Sequence, residues 1–145
     1  MKTIRLISMV ALVVTFWNCQ AQSGTKEKAS SVNQVKNSTD KIEAYYFHFT
    51  SRCMTCRTVE ERAKENLKDL YPEMWKNGTL TFTAANLNEK EGEELAGKLG
   101  VSGQTLMIAK GKKQINLTNE AFLYAVTNPE KYKKVIKEKV DELLK

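Results

Sequence analysis

The chain is poor in the residues from which the most recognisable sites are built. Three cysteines in 145 residues exclude a small disulfide-stapled scaffold. The first, Cys19, falls in a leader-like segment, so one vicinal pair, Cys53 and Cys56, is left as a redox-capable site. Histidine occurs once, at His48, so at most one imidazole can join the two sulfurs in holding a metal. The longest apolar run, Leu6 to Trp17, is well short of the roughly 20 residues that a membrane span needs. Basic residues exceed acidic ones by six, but Lys and Arg are interleaved with Glu and Asp throughout, which reads as solvated faces and not as a nucleic-acid stripe. No internal repeat is visible. What is present, 41% hydrophobic residues over 145 positions, suffices for one domain with a real core and is too short for two.

Lys2 and Arg5 precede the apolar run, which has the length of a signal-peptide core, so residues 1–21 are expected to direct export. Two processing routes stay open. Cys19 and Ala21 fit a small-x-small cut before Gln22, while Cys19 is itself a candidate for lipid attachment, against which the bulky Phe16 and Trp17 count. A third route is an uncleaved terminal anchor. Loss of residues 1–21 takes the 23 basic side chains to 21 against 17 acidic ones, a formal charge of +4. Residues 22–40 are mostly Ser, Lys, Asn, Gln and Thr, with Val32 and Val35 the only larger apolar residues, and are expected to form a flexible linker. The folded domain is then residues 41–145.

The domain is organised around Tyr45-Tyr-Phe-His-Phe-Thr-Ser-Arg-Cys-Met-Thr-Cys-Arg57. Five of the six residues from Ala44 to Phe49 are apolar or aromatic, which suits a mid-sheet strand covered on both faces, over Lys41 to Thr50. Cys56, Val59, Ala63, Leu67 and Leu70 then recur at three and four, with Glu60, Glu61, Lys64, Glu65 and Lys68 between them, so a helix runs from about Cys53 to Leu70. Cys53 stands where free backbone N–H groups and the positive end of the helix dipole favour a thiolate, and Arg52 and Arg57 add charge nearby. Cys53 is therefore expected to attack, and Cys56, on the apolar face, to resolve.

Pro72 ends this helix, and Tyr71 to Asn77 form a short turn that packs Met74 and Trp75 before the Asn77-Gly78 turn. Leu80 to Leu87 read as a strand. Asn88 with Glu91 predicts a capping box for a helix carrying Leu95, Ala96 and Leu99 and stopped by Gly100. Thr105 to Ala109 and Gln114 to Leu117 read as a hairpin. A helix capped by Thr118 or Asn119 reaches about Val126, and a last one runs from Asn128-Pro129 to Leu144 with Tyr132, Val135, Ile136, Val140 and Leu143 on one stripe.

The order βαβαββα, with Cys-x-x-Cys opening the helix after the first strand, resembles the thioredoxin-like superfamily. Thr81 to Asn88 is similar to its strand running into a V-x-x-x-N loop, and Leu99-Gly-Val-Ser-Gly-Gln-Thr-Leu-Met-Ile108 to its G-[IV]-x-G-x-P-T-L segment; the likeness covers residues 41 to 126. It implies a three-layer α/β/α fold with a mixed four-stranded central sheet, here with an extra C-terminal helix. There are three departures. The motif is Arg52-Cys-Met-Thr-Cys56 where the family has Trp-Cys-Gly-Pro-Cys. Gln104 stands nearest the missing cis-proline. The family's buried acid falls at Phe47, which cannot take a proton.

The resemblance implies reversible thiol–disulfide exchange by Cys53 and Cys56, with Arg52, Gln104 and Thr105 lining a substrate site. It needs no cofactor, acts on protein or small-molecule disulfides and thiols, and for an exported protein of the bacterial envelope type draws on a membrane electron donor. A static bridge is the plainer alternative, but one that closes so small a loop restrains little unfolded-state entropy. Two rival functions are a copper-delivery module using Cys53, Cys56 and His48, and a non-catalytic partner-binding domain. No nucleic acid is expected, and membrane contact follows only from lipidation at Cys19.

Overall fold

A computed structural model describes residues 40–145. The leader and, apart from Asp40, the linker lie outside the described residues. Four strands form one sheet in the order β2-β1-β3-β4: β1 Ile42–His48, β2 Leu80–Asn86, β3 Thr105–Lys110 and β4 Lys113–Asn116. β1 pairs parallel to β2 and antiparallel to β3, and β3 antiparallel to β4. This is the expected thioredoxin-like arrangement. Crossover helices allow the parallel pair, and Gly111, at φ 58°, turns the chain between Lys110 and Lys113.

β1 is central because both of its faces are covered. Ile42, Ala44 and Tyr46 face one side of the sheet, where they pack with Val59, Ala63 and Leu67 of α1 (Met54–Leu70), Ala121 of α4 (Thr118–Tyr124), and Tyr132, Ile136, Val140 and Leu143 of α5 (Pro129–Leu144). Phe47 faces the other, against Ala85, Met107 and Ala96 of α3 (Lys90–Leu99). The position of the family's buried acid therefore belongs to the α3 layer. The layer that carries the cysteines receives Tyr46 instead.

Pro72 is the first residue of a separate short helix, α2 (Pro72–Lys76), whose Met74 and Trp75 pack on the larger core as expected. Gly100 closes α3 at φ 69°, its N–H turned back to Ala96 and Gly97 carbonyls. Two caps differ from expectation. Glu89, not Asn88, precedes α3 and makes no side-chain cap; Asn88 Oδ1 instead accepts from the Thr50 N–H at 2.9 Å, tying two loops together. Leu117 precedes α4, and Thr118 lies inside the helix because its hydroxyl accepts from Leu106 N–H at 3.0 Å, continuing the sheet. α5 starts at Asn128-Pro129 as expected, and Asn128 caps it, accepting from Lys131 N–H at 3.0 Å.

The register gathers three chain ends at one edge: His48 pairs with Asn86, and Phe47 with Thr105. The carboxyl ends of β1 and β2 and the start of β3 thus meet where α1 begins. In open α/β sheets such an edge is where ligands bind.

Candidate functional site

Cys53 is the N-cap of α1. Its backbone is extended, at φ −71° and ψ 168°, and its Sγ accepts from the Cys56 N–H at 3.2 Å, the place a serine or aspartate oxygen takes in an ordinary cap. No acidic residue lies in the first turn, so nothing there opposes the positive end of the helix. Cys53 is exposed, whereas Cys56 is 7% exposed on the buried face. The two are joined in a disulfide with Cα atoms 5.2 Å apart. Cys53 is therefore the more accessible member of the pair.

Arg52 behaves differently from the expectation. Its guanidinium is held by the Glu60 carboxylate, and both side chains are about a quarter exposed. Its positive charge is thereby largely offset before it can act on the neighbouring sulfur. Arg57 is exposed.

The loop before β3 brings Gln104 to the pair and turns Thr105 away from it. Gln104 Oε1 lies 4.0 Å from Cys56 Sγ, and Nε2 donates to Tyr46 Oη. Thr105 is buried, and its hydroxyl donates to the Gly103 carbonyl at 3.0 Å, inside its own loop. His48 is also buried; its Nδ1 lies 3.0 Å from the Phe49 carbonyl, and its ring centroid is 6.0 Å from that of Tyr46. Among the described residues no three His, Cys, Asp or Glu side chains group closely enough to hold a metal ion, so Cys53, Cys56 and His48 do not form the three-ligand cluster the sequence allowed.

Two residues of this site escaped sequence reasoning. Tyr46 is fully buried and donates to the Cys56 carbonyl, in the first turn of α1, at 3.0 Å. Burial raises its pKa; the hydrogen bond from Gln104 opposes that, Glu60 adds to it and Arg52 opposes it. Strand alternation was the signal available, since it places Tyr46, two residues from Ala44, on the α1 side. Glu60 was the other, one helical turn beyond Cys56 among the charged residues that flank the apolar stripe.

On the α3 side of the sheet is a cleft of about 300 Å³ lined by Phe49, Leu87, Glu93, Ala96, Gly97, Val101 and Ser102, with Phe49 left 43% exposed. Met54, between the cysteines, is 84% exposed. Met54, next to Cys53 in the chain, presents apolar surface to whatever approaches it.

No protein-family model and no curated protein matches the chain. Among solved structures it is similar to oxidised thioredoxin O2 from Arabidopsis thaliana, at 23% identity over 68% of this chain and 75% of that one, with a TM-score of 0.45. It is also similar to oxidised mitochondrial thioredoxin 3 from Saccharomyces cerevisiae, at 19% identity over 70% and 81%, with a TM-score of 0.43. A thioredoxin from Trypanosoma brucei brucei gives 24% identity over 69% and 79%, with a TM-score of 0.40. The fold rests on the strand order and pairing described above, and these values add no argument to it.

Proposed function

We propose that this thioredoxin-like domain is an exported thiol–disulfide oxidoreductase in which Cys53 is the attacking sulfur and Cys56 the resolving one. The observation that carries this reading is the asymmetry of the pair: an exposed Sγ at a helix start, accepting from a backbone N–H, bonded to a partner that is buried. In the reducing direction the Cys53 thiolate attacks a substrate disulfide, expelling one thiolate and leaving a mixed disulfide. Cys56 then loses its proton and attacks Cys53 Sγ, the second substrate sulfur leaves with that proton, and the protein disulfide closes. Two electrons pass from the protein to the substrate. The oxidising direction is the reverse, and the potential of the partner couple decides between them.

The exposed Met54 between the cysteines favours a protein disulfide over a small charged one. Export is supported by the charged start and apolar run of residues 1–21. In an exported protein, reduction draws electrons from a dithiol donor held in the membrane, and oxidation returns them there.

The test is a trap. Cys56→Ser protein, expressed in its own cell, is expected to accumulate mixed disulfides that dithiothreitol releases and that Cys53→Ser abolishes. An empty trap overturns the reading. Insulin reduction in dithiothreitol provides the catalytic arm: the wild type is expected to exceed the protein-free rate, and Cys53→Ser to equal it.

A further inference from the structure

Beneath the pair, three polar groups form a chain whose direction is fixed at one end. Tyr46 has a single hydroxyl hydrogen and gives it to the Cys56 carbonyl at 3.0 Å, so towards Gln104 its oxygen can only accept. Gln104 must then turn its NH₂ to Tyr46 and its carbonyl oxygen, Oε1, to Cys56, where it lies 4.0 Å from Sγ. In the disulfide this is a contact only. Once the bond opens, an amide oxygen facing Cys56 accepts a hydrogen bond from a thiol and disfavours a thiolate. The sulfur of Cys53 has the opposite environment, a backbone N–H at 3.2 Å.

We infer that Gln104, its amide oriented by the Tyr46 hydroxyl, is a positioning residue that keeps the proton of the reduced pair on Cys56 and leaves Cys53 as the sole thiolate. This deepens the oxidoreductase reading and rests on it. The step it controls balances as follows: Cys53–S⁻ and Cys56–SH with a substrate R–S–S–R′ give the protein disulfide, R–SH and R′–S⁻. The proton held on Cys56 is the one the second leaving sulfur takes.

Other titratable groups surround this chain. His48 lies beside Tyr46 on β1, Arg52 and Glu60 are paired with each other at the start of α1, and Tyr132 of α5 donates to the Val59 carbonyl at 3.2 Å. The ion pair largely cancels itself, and burial keeps the phenols of Tyr46 and Tyr132 protonated. Gln104 is the polar group aimed at the Cys56 sulfur.

The experiment follows the pH dependence of iodoacetamide alkylation of the reduced full-length chain, each cysteine read separately by peptide mass. In the wild type Cys53 is expected to react well below the pH at which Cys56 does. Tyr46→Phe frees the amide to turn its NH₂ toward Cys56, and the Cys53-to-Cys56 rate ratio near neutral pH is expected to fall about fivefold, the weight of one neutral hydrogen bond. Gln104→Glu places a carboxylate against Cys56, and the ratio is expected to rise. A purely structural role would lower the thermal midpoint and move the ratio in neither direction. An unchanged ratio in both folded variants overturns the inference, as does a change of the same sign in both. If Tyr46→Phe fails to fold, Gln104→Glu decides alone, since Gln104 is a half-buried loop residue. The Cys56→Ser trap contains no Cys56 sulfur for Gln104 to act on, so it reports on the oxidoreductase reading separately.

Discussion

At the scale of single residues the site is decided by which charges are free. Arg52 would stabilise a thiolate at Cys53, but Glu60 holds its guanidinium. Replacing Glu60 with Gln is therefore expected to lower the pH at which Cys53 is alkylated, and replacing Arg52 with Ala, which leaves Glu60 unpaired, to raise it. Iodoacetamide rates against pH check both, and equal curves for the two variants would remove the pair from the site. The sequence made Cys53 and Cys56 legible because helix periodicity is local. It did not show that Arg52 is neutralised, because a charge's partner is set by side-chain packing and not by spacing alone.

Elements are held together at a few close approaches, and α3 supplies a paired test. A Cβ built on Gly92 would lie 2.0 Å from the Asn86 carbonyl oxygen, where α3 packs on the end of β2. Gly92→Ala is expected to destabilise by about 1–3 kcal/mol, because backbone must move. Gly97, on the same helix, meets nothing within 4 Å, and Gly97→Ala is expected to stabilise by about 0.5–1 kcal/mol through lost unfolded-state entropy. Urea unfolding of the two variants should give opposite signs. At the start of α5, Asn128→Ala removes the acceptor for Lys131 N–H and is expected to cost about 1 kcal/mol by the same measurement. This cap forms where the sequence starts the helix, whereas Asn88 and Thr118, which the sequence offered as caps, bond instead to Thr50 and Leu106. Capping residues are adaptable donors and acceptors, and a long-range partner can outcompete the local one.

Across the whole molecule, four of the five tyrosines resist ionisation in the folded state. Burial is the leading cause in each, with Glu43 adding for Tyr45, which is raised to about 12, and Asp141 adding for Tyr71. Below pH 10 these phenols are protonated in both folded and unfolded chains and stability does not depend on them. Above it the unfolded chain has released protons that the folded one retains, so stability falls as pH rises toward and through the raised values. The expected result is cooperative alkaline unfolding above pH 10, with tyrosinate absorbance at 295 nm and loss of far-ultraviolet ellipticity rising together. Tyrosinate equivalent to more than one of the five tyrosines that appears while ellipticity is intact would show these four phenols to be accessible.

The sequence by itself determined the elements and their order, the central place of β1, and the position of Cys53 at a helix start, since each follows from apolar periodicity and turn chemistry over fewer than twenty residues. Tertiary structure alone decided that Tyr46 lies beneath the pair while Phe47 joins the α3 layer, and that Gln104, 58 residues beyond Tyr46, closes the polar chain. These depend on the pairing of β1 with β3, whose register sets what faces Cys56. Register is fixed by the packing of both sheet faces together, and no single segment contains that information.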